Sequence, residues 1–253
     1  SIMYESFDNP SSVLMYDANQ NSVAPVLVVG KSYKGISFSG STFIYPKSTS
    51  SRLDYTSPIT FAFWARPSPG GTVVSQRYTN DPTFGWKGFD IYVDNFGTVR
   101  IRAQSGPAAD TQTVLEARTS AADWAHYIIV TDFRTDRTFM NTHLYINGKG
   151  VPLYDLELFG AGFTGIDSST APFSLGFIGD RVNGSTGFYK GDLDEFRVFR
   201  GMLGDRDASL LYGAPDDTDQ DGFVDNLDNC GLIANAGQED ADNDRIGNVC
   251  DTC

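Results

Sequence analysis

Segments in which apolar and polar residues alternate recur along residues 1–214, and turn residues separate them. Such alternation is typical of antiparallel strands that bury one face, because successive side chains of a strand point to opposite faces. Asn95-Phe-Gly97 and Asn147-Gly148 are typical of hairpin turns, and a helical period is weak and confined to 205–211. These features predict an all-β domain, a sandwich of short strands. The clearest predicted strands are 59–64, 89–93, 99–103, 127–131, 143–146 and 173–177.

Charge divides the chain into two parts. The 253 residues carry a formal net charge of −13, and −10 of it lies in residues 216–253, which hold 11 acidic residues and one arginine. Gly213-Ala214-Pro215 supplies a hinge where the composition changes. We therefore expect one domain over residues 1–214 and a second, smaller unit over residues 215–253.

The chain lacks the features by which proteins bind nucleic acid or span a membrane. Binding to nucleic acid requires clustered Lys and Arg to neutralise phosphates, and this acidic sequence has no basic stripe. A membrane helix needs about 18 or more consecutive apolar residues, whereas the apolar runs here, such as 25–29 and 127–130, are strand-sized. We expect neither a nucleic-acid partner nor a membrane span.

The acidic unit contains two loops with the spacing of a calcium site. A 12-residue loop binds Ca²⁺ through oxygens at positions 1, 3, 5, 7, 9 and 12, with position 7 contributing a backbone carbonyl. The ligands predicted for the first loop are Asp217, Asp219, Asp221, the Phe223 carbonyl, Asp225 and Asp228. The ligands predicted for the second loop are Asp240, Asp242, Asp244, the Ile246 carbonyl, Asn248 and Asp251. Arg245 occupies position 6 of the second loop, where the template has Gly, so we expect that loop to be strained or weaker.

The alternative for this unit is a solvated acidic linker, which is what most charge runs are. Against it, several carboxylates within one loop repel each other strongly unless a cation neutralises them. The unit also has too few apolar residues to build a core. We therefore expect its order to depend on Ca²⁺ and on a disulfide.

The same stretch resembles the thrombospondin type 3 repeat through the sequences DTDQDG, DNCG, NAGQ and DADNDRIGNVCD. The resemblance implies a disulfide between Cys230 and Cys250. Cys253 would then begin another repeat, which implies further domains of a longer chain. All three cysteines lie in this unit, and a disulfide in so small a segment suits an oxidising, extracellular compartment. We expect a secreted or cell-surface protein.

The order of the segments in residues 1–214 resembles that of laminin-G-like, concanavalin A-like domains. The matching segments are 5–8, 35–40, 61–64, 124–130, 144–148, 173–179 and 191–200. The resemblance implies a jelly roll of two antiparallel sheets. Lectins, carbohydrate-binding modules, adhesion domains and glycosidases share that fold, so the fold does not decide the function.

Asp194 is a candidate metal ligand in this domain. Alternation along 191–200 predicts that Asp194 shares the core-facing side with Phe196 and Val198. A buried carboxylate must be paired, hydrogen-bonded or bound to a metal. The resemblance implies a structural Ca²⁺ held by Asp194, Asp8 and the Gly35 carbonyl, and the alternative is that Asp194 caps backbone amides or pairs with an arginine.

Two groups of residues are candidates for ligand binding. If their strands share a sheet, polar residues opposite the core would form one face that stacks on a sugar ring and donates to its oxygens. The alternative is the polar face that any antiparallel sheet turns to water. The second group belongs to the loop 76–87, whose aromatic residues either bind a ligand or pin the loop to the sandwich. The candidates are Tyr92, Arg100, Arg102, His143 and Tyr145 on the face and Tyr78 and Trp86 in the loop.

Catalysis finds no support in the sequence. Retaining glycosidases need two carboxylates about 5 Å apart, and the E-x-D-x-E strand of glycosidases with this fold does not occur here. We predict an extracellular, calcium-binding, non-catalytic module that binds a polysaccharide or other glycan. The main alternative is an adhesion or matrix module that binds protein and has no affinity for sugar. A glycoside hydrolase is a third and weaker alternative.

Overall fold

The structure is a computed structural model of the 253-residue chain. It describes residues 3–5, 7, 14–17, 19, 21–45, 53, 57–77, 87–106, 112–119, 123–133, 141–157, 166, 173–177, 187–213, 219, 221, 228–230, 232–242 and 246–251.

The described part of the chain forms sixteen strands and one helix. The strands in the first third of the chain are β1 Met3–Glu5, β2 Met15–Asp17, β3 Ser22–Val23, β4 Val26–Val29, β5 Lys34–Ser39, β6 Thr42–Ile44 and β7 Ile59–Arg77. The next are β8 Gly88–Asp94, β9 Thr98–Gln104, β10 Gln112–Arg118, β11 Ala125–Thr131 and β12 His143–Ile146. The last elements are β13 Lys149–Val151, β14 Tyr154–Glu157, β15 Ser174–Leu175, β16 Lys190–Arg200 and α1 Asp205–Gly213.

The long strand β7 contributes to both layers of the sandwich. Its first half, 59–67, pairs with β11 on one side and β16 on the other, and its second half pairs with β8 and β15. The bend falls at Gly70 and Gly71, whose φ values of 106° and 143° are open to glycine and strained for other residues. A Cβ on Gly70 would also lie 2.2 Å from the backbone oxygen of Val93, and one on Gly71 would lie 2.2 Å from that of Phe188.

The pairings define two sheets. The first sheet contains β4, β5, β1, β16, the first half of β7, β11, β12 and β13, and every one of its pairings is antiparallel. The second sheet has the order β14-β10-β9-β8-β7-β15-β6-β2-β3 and uses the second half of β7. The predicted all-β class is confirmed: the domain is mostly β and its strands form a sandwich of two largely antiparallel sheets.

The core lies between these sheets and is rich in aromatic rings. Phe61 and Phe63 of β7 point into it and contact Phe89 and Phe196, with ring centroids 5.3 and 6.2 Å apart. These side chains are all fully buried, and burying each contributes roughly 1.5–3 kcal/mol. The predicted strand 59–64 therefore lies within β7 and turns Phe61 and Phe63 toward the core.

The helix α1 packs on the outer face of the first sheet. Ala208 is its buried residue and contacts Ala62, Ile128 and Val130, which alternate with core-facing neighbours. Asp205 and Asp207 in the first turn favour helix formation because they face the positive end of the helix dipole. The weak helical period at 205–211 thus corresponds to a real helix. No helix in the described part of the chain is long and apolar enough to cross a membrane.

Candidate functional site

Three charged residues form a network on the side of the second sheet that faces away from the core. Arg77 Nη1 donates to Asp90 Oδ1 at 2.7 Å, and Arg102 donates through Nε and Nη2 to both oxygens of Asp90. Arg77 also donates to the side-chain oxygen of Gln104. Burial alone would raise the pKa of Asp90, but the guanidinium groups of Arg102 and Arg77 lower it below its ordinary value. The carboxylate therefore stays ionised and holds both arginines in place.

A second network lies beside the first on the same face. Glu116 accepts hydrogen bonds from Arg100 Nε at 2.6 Å and from Arg118 Nε at 2.8 Å. The Arg100 guanidinium lies over the ring of Tyr92, 5.6 Å from the ring centroid, and the Tyr92 hydroxyl donates to Asp94 Oδ2 at 3.3 Å. Burial would raise the pKa of Glu116, and the two arginines lower it. We call the residues Arg77, Asp90, Tyr92, Arg100, Arg102 and Glu116 the polar face.

The polar face is fixed by the pairing of its strands. Asp90 lies opposite Arg102, and Tyr92 lies opposite Arg100, in the β8–β9 register. Arg100 in turn lies opposite Glu116 in the β9–β10 register. Arg100 and Arg102 thus each lie opposite a carboxylate across the ladder, which is the geometry in which cross-strand charge pairs form.

His143 and Tyr145 do not belong to the polar face. Their strand β12 pairs with β11 in the first sheet, whereas β8 and β9 belong to the second sheet. The prediction of one face shared by all five residues is therefore wrong, because β7 bends from one sheet into the other between their partner strands. Tyr145 lies beneath α1, and its hydroxyl donates to Asp205 Oδ1 at 2.8 Å. His143 is exposed at the start of β12. Both line a cavity of about 610 Å³.

Asp194 is fully buried, but it does not lie on the predicted side of its strand. The register of β16 shifts between Asp194 and Arg197, and Glu195 has a φ of 50°. This bulge adds a residue to the alternation. Leu193 and Phe196 therefore both reach the core, and Asp194 points the other way, opposite Trp64 in the β7 register. The prediction that Asp194 shares a face with Phe196 and Val198 is wrong for this reason.

Backbone amides surround the Asp194 carboxylate. Oδ2 accepts from the N–H groups of Lys31 at 2.6 Å and Ser32 at 2.9 Å, and Oδ1 accepts from that of Glu195 at 2.9 Å. Burial raises the pKa of Asp194 to about 8, against the lowering effect of these amides. Gly30 passes so close that a Cβ there would lie 2.5 Å from Oδ2.

The structure thus contains the amide cap that was the alternative to a metal site. Gly35 also lies beside Asp194, because a Cβ on Gly35 would be 3.5 Å from the Asp194 Cβ. A Ca²⁺ ion at this position stays a prediction, since the third predicted ligand, Asp8, lies outside the described residues.

Three predicted ligands of the first calcium loop come together. Carboxylate oxygens of Asp219, Asp221 and Asp228, at loop positions 3, 5 and 12, lie within 4.8 Å of one another. Asp228 Oδ2 is buried and accepts no hydrogen bond from any residue that the structure describes. An acceptor in that state, next to two other carboxylates, fits a hard cation with oxygen ligands. The other predicted ligands of this loop, Asp217, Phe223 and Asp225, lie outside the described residues.

Two amide side chains that the sequence analysis did not select support this cluster. Gln238 Nε2 donates to Asp228 Oδ1 at 2.7 Å and to Asp221 Oδ2 at 3.3 Å. The backbone N–H of Asn235 donates to Asp221 Oδ2 at 2.8 Å. Both residues belong to the NAGQ sequence, which the resemblance to the repeat had identified without giving it a role. Its spacing alone did not reveal that it folds back onto the carboxylates.

The second loop shows a different arrangement. The Asn248 side-chain oxygen accepts from the N–H of Ala241 at 2.9 Å, and the Asn248 N–H donates to the Glu239 carbonyl. Asp240, Asp242, Ile246 and Asp251 are described but do not form a compact cluster of carboxylates in the part of the loop that the structure covers. Asp244 lies outside that part. The second calcium site therefore stays a prediction.

The predicted disulfide is confirmed. Cys230 and Cys250 are bonded, with their Cα atoms 5.7 Å apart. The two cysteines are 20 residues apart in sequence, so the bond ties the end of the first calcium loop to the second in a unit with little apolar core.

Tyr78 and Trp86, the predicted ligand-binding residues of the loop 76–87, lie outside the described residues.

The buried carboxylates of the polar face, Asp90 and Glu116, are each paired with arginines. Asp90 and Glu116 each accept from two guanidinium groups. In the Asp192-Leu-Asp-Glu195 segment, Asp192 pairs with Arg66 and Glu195 with Arg197. A general acid needs a raised pKa and access to the leaving group, whereas the arginines lower the pKa of Asp90 and of Glu116.

Comparison with known proteins identifies the family of the domain. Residues 38–209 match the family model Laminin_G_3, described as the Concanavalin A-like lectin/glucanases superfamily. The chain therefore belongs to this superfamily. No curated protein sequence matches the chain significantly.

Solved structures with a similar fold include several binding domains. The CBM40 of the Ruminococcus gnavus IT-sialidase, solved bound to α2,3-sialyllactose, aligns with a TM-score of 0.50 and 18% identity, over 71% of this chain and 96% of that one. A structure described as a receptor binding domain aligns with a TM-score of 0.50 and 13% identity, over 84% of this chain and 46% of that one. The binding domain of Paraclostridial Mosquitocidal Protein 1 aligns with a TM-score of 0.47 and 16% identity, over 82% of this chain and 52% of that one. The chain thus spans about half the length of the last of these, and at such identities the likeness concerns the fold.

Proposed function

We propose that this chain is a non-catalytic glycan-binding module and that the exposed part of the polar face contacts the glycan. The observation that carries the proposal is the placement of Arg100, whose guanidinium is bonded to Glu116 and lies over the Tyr92 ring. Its side chain remains 45% exposed, and that of Arg102 remains 33% exposed. Each guanidinium therefore has N–H groups directed to solvent while its position is fixed.

Fixed donors beside an aromatic ring suit the recognition of a saccharide. Holding a side chain in its bound conformation before binding lowers the entropic cost of association. A guanidinium donates two parallel hydrogen bonds to a carboxylate or sulfate and single bonds to hydroxyls, and an aromatic ring packs against the C–H face of a pyranose. The fold adds support, since the CBM40 of similar fold was solved with a bound sialyl-saccharide.

The proposal includes calcium in the acidic unit. Asp219, Asp221 and Asp228 would be ligands of one Ca²⁺, completed by the other predicted oxygens of the first loop, and the second loop would hold a weaker site. Ca²⁺ would neutralise the repulsion among these carboxylates and, together with the Cys230–Cys250 bond, order a unit that has few apolar residues. A disulfide-bonded calcium unit suits a secreted or surface protein, in which this module would be joined to further domains.

Affinity electrophoresis tests the glycan proposal. The protein is run through gels containing neutral polysaccharides or anionic ones such as polygalacturonate and a sulfated galactan, with Ca²⁺ and with chelator. We expect retardation by at least one polysaccharide, and we expect Arg100→Gln to abolish or strongly reduce it. Arg206→Gln is the matched control, because it removes the same charge from the exposed surface of α1.

The alternatives predict other results. Absence of retardation by every polysaccharide, with capture of a protein ligand that free saccharides do not displace, would favour the adhesion module without sugar affinity. Release of reducing ends from any polysaccharide would favour a glycoside hydrolase. Equal loss of retardation in Arg100→Gln and Arg206→Gln would reduce the effect to net charge and argue against the polar face as the binding site.

A further inference from the structure

A cavity separate from the polar face opens beside the β12–β13 hairpin. Its volume is about 610 Å³, and its walls come from β10, from β12 and β13, and from the first residue of α1. Sites for small ligands commonly have volumes of about 300–1,000 Å³ and combine an apolar lining with a few convergent polar groups. The size of the cavity thus fits one or two sugar rings better than a protein segment.

The cavity has two polar groups that can bind a ligand, the Asp205 carboxylate and the His143 imidazole. The Tyr145 hydroxyl donates to Asp205 Oδ1 at 2.8 Å, which fixes that carboxylate over the cavity. The other oxygen, Oδ2, accepts no hydrogen bond from the described residues. The His143 side chain is exposed at the cavity wall and makes no hydrogen bond with any residue in the described part of the chain. The imidazole donates from one nitrogen and accepts at the other when neutral.

The apolar part of the lining is formed by leucines of two strands and a connection. Leu115 of β10 is 7% exposed, and Leu153, between β13 and β14, packs partly buried against the core. Both reach the cavity wall. A ligand in the cavity would remove apolar surface from water, mainly that of the partly buried Leu153, and this favours binding by roughly 25 cal/mol per Å².

The charge of the cavity discriminates between ligand classes. Asp205 is the single acidic residue of the lining, and the lining contains no Lys or Arg among the residues that the structure describes. An anionic sugar would bring its carboxylate or sulfate next to Asp205 without a cation to compensate. An uncharged ring brings hydroxyl donors that Asp205 Oδ2 and His143 can satisfy.

We propose that the cavity is a second saccharide site, selective for uncharged sugar rings. The apolar C–H face of the ring would lie on Leu115 and Leu153, and its hydroxyls would reach His143 and Asp205. This inference rests on the proposed glycan-binding function and adds a site with the opposite charge preference to the arginine-rich polar face. The module would then contact a neutral chain through the cavity and acidic groups through the sheet.

Calorimetric titration with neutral and anionic oligosaccharides tests this inference. The neutral probes are maltotriose, xylotriose, arabinotriose and galactotriose, and the anionic probes are 3′-sialyllactose and a trigalacturonate. We expect at least one neutral probe to bind, and His143→Ala to weaken it about three- to tenfold through the loss of one hydrogen bond. Leu153→Asp should weaken it further. Lys149→Ala is the control in the same hairpin, and thermal unfolding confirms that each variant is folded.

The variant pattern separates this inference from the proposed function. Arg100→Gln should leave the neutral probe unchanged and weaken an anionic probe. Binding of anionic probes alone, or a neutral probe that responds to Arg100→Gln and not to His143→Ala, would overturn the cavity site and leave the proposed function standing. No binding by any probe, together with no retardation in the gels, would overturn both.

Discussion

Arg77 Nη1 lies 2.7 Å from Asp90 Oδ1, and both side chains are buried although their strands turn them away from the core. A buried charge pair contributes little over an apolar pair, but removing one partner leaves the other uncompensated and costs about 3–5 kcal/mol. We expect Asp90→Ala to lower the free energy of unfolding by about that amount, because both Arg77 and Arg102 lose their carboxylate. Urea unfolding followed by fluorescence measures the change.

Asp123→Ala is the matched control for this change. Asp123 is 80% exposed and 3.8 Å from Arg66, and exposed pairs of this kind contribute about 0–1 kcal/mol. If Asp90→Ala and Asp123→Ala shift the urea midpoint equally, the buried network is not what holds the arginines of the polar face.

Asp194→Ala is expected to loosen the turn between β4 and β5. The substitution removes the acceptor of the N–H groups of Lys31 and Ser32, and each of these part-buried hydrogen bonds contributes about 0.5–1.5 kcal/mol. Hydrogen exchange should accelerate most at these two amides. Asp194→Asn keeps one acceptor oxygen and should have an intermediate effect. Unchanged exchange in the turn would contradict the role of Asp194 as an amide cap.

Particular residues show how far the sequence predicted this structure. The sequence pattern identified the strand 143–146 to the residue and placed 127–131 within β11, Ala125–Thr131. It failed at Asp194, since the extra residue of a bulge leaves no mark in the pattern of side chains. It also failed to separate Tyr145 from Arg100, because the assignment of a strand to a sheet depends on the long-range bend of β7.

In the acidic unit, motif spacing predicted which carboxylates come together, because these residues are close to one another in the sequence. The approach of Asp219, Asp221 and Asp228 follows from the spacing of a 12-residue loop. The Cys230–Cys250 pairing was implied by the resemblance to the thrombospondin type 3 repeat. The contribution of Gln238 could not be derived in this way, because it depends on how the NAGQ sequence folds back onto the loop.

His126 should make the stability of the domain fall in mild acid. Burial lowers its pKa to about 3, with a smaller contribution from Arg197, and its Nδ1 has no hydrogen-bond partner in the described residues. The ring lies against Trp64 and Tyr212. The unfolded chain binds a proton near pH 6.5 and the folded domain does not, so the full stability is present above pH 6.5 and is lost as the pH falls toward 3. The loss is on the order of 4 kcal/mol.

Urea unfolding as a function of pH measures this contribution. His126→Phe keeps a ring between Trp64 and Tyr212 and removes the titration, so its stability should depend less on pH between 6.5 and 3 than that of the parent chain. A parent and a His126→Phe protein with parallel pH profiles would contradict a buried neutral histidine.

Calcium binding by the acidic unit should depend on a side chain that is not itself a carboxylate. Gln238 Nε2 donates to Asp228 Oδ1 at 2.7 Å and so fixes the position of a proposed ligand. Groups that orient metal ligands typically change metal affinity by about 10–100-fold when they are removed. We expect calorimetry of the whole chain to detect Ca²⁺ binding, Gln238→Ala to weaken it by about that factor, and Asp221→Ala to weaken it more.

Glu239→Gln, which removes a neighbouring exposed charge, should change the affinity little. Equal effects of Gln238→Ala and Glu239→Gln would show that Gln238 does not position the ligands, and an absence of Ca²⁺ binding by the parent chain would contradict the site itself.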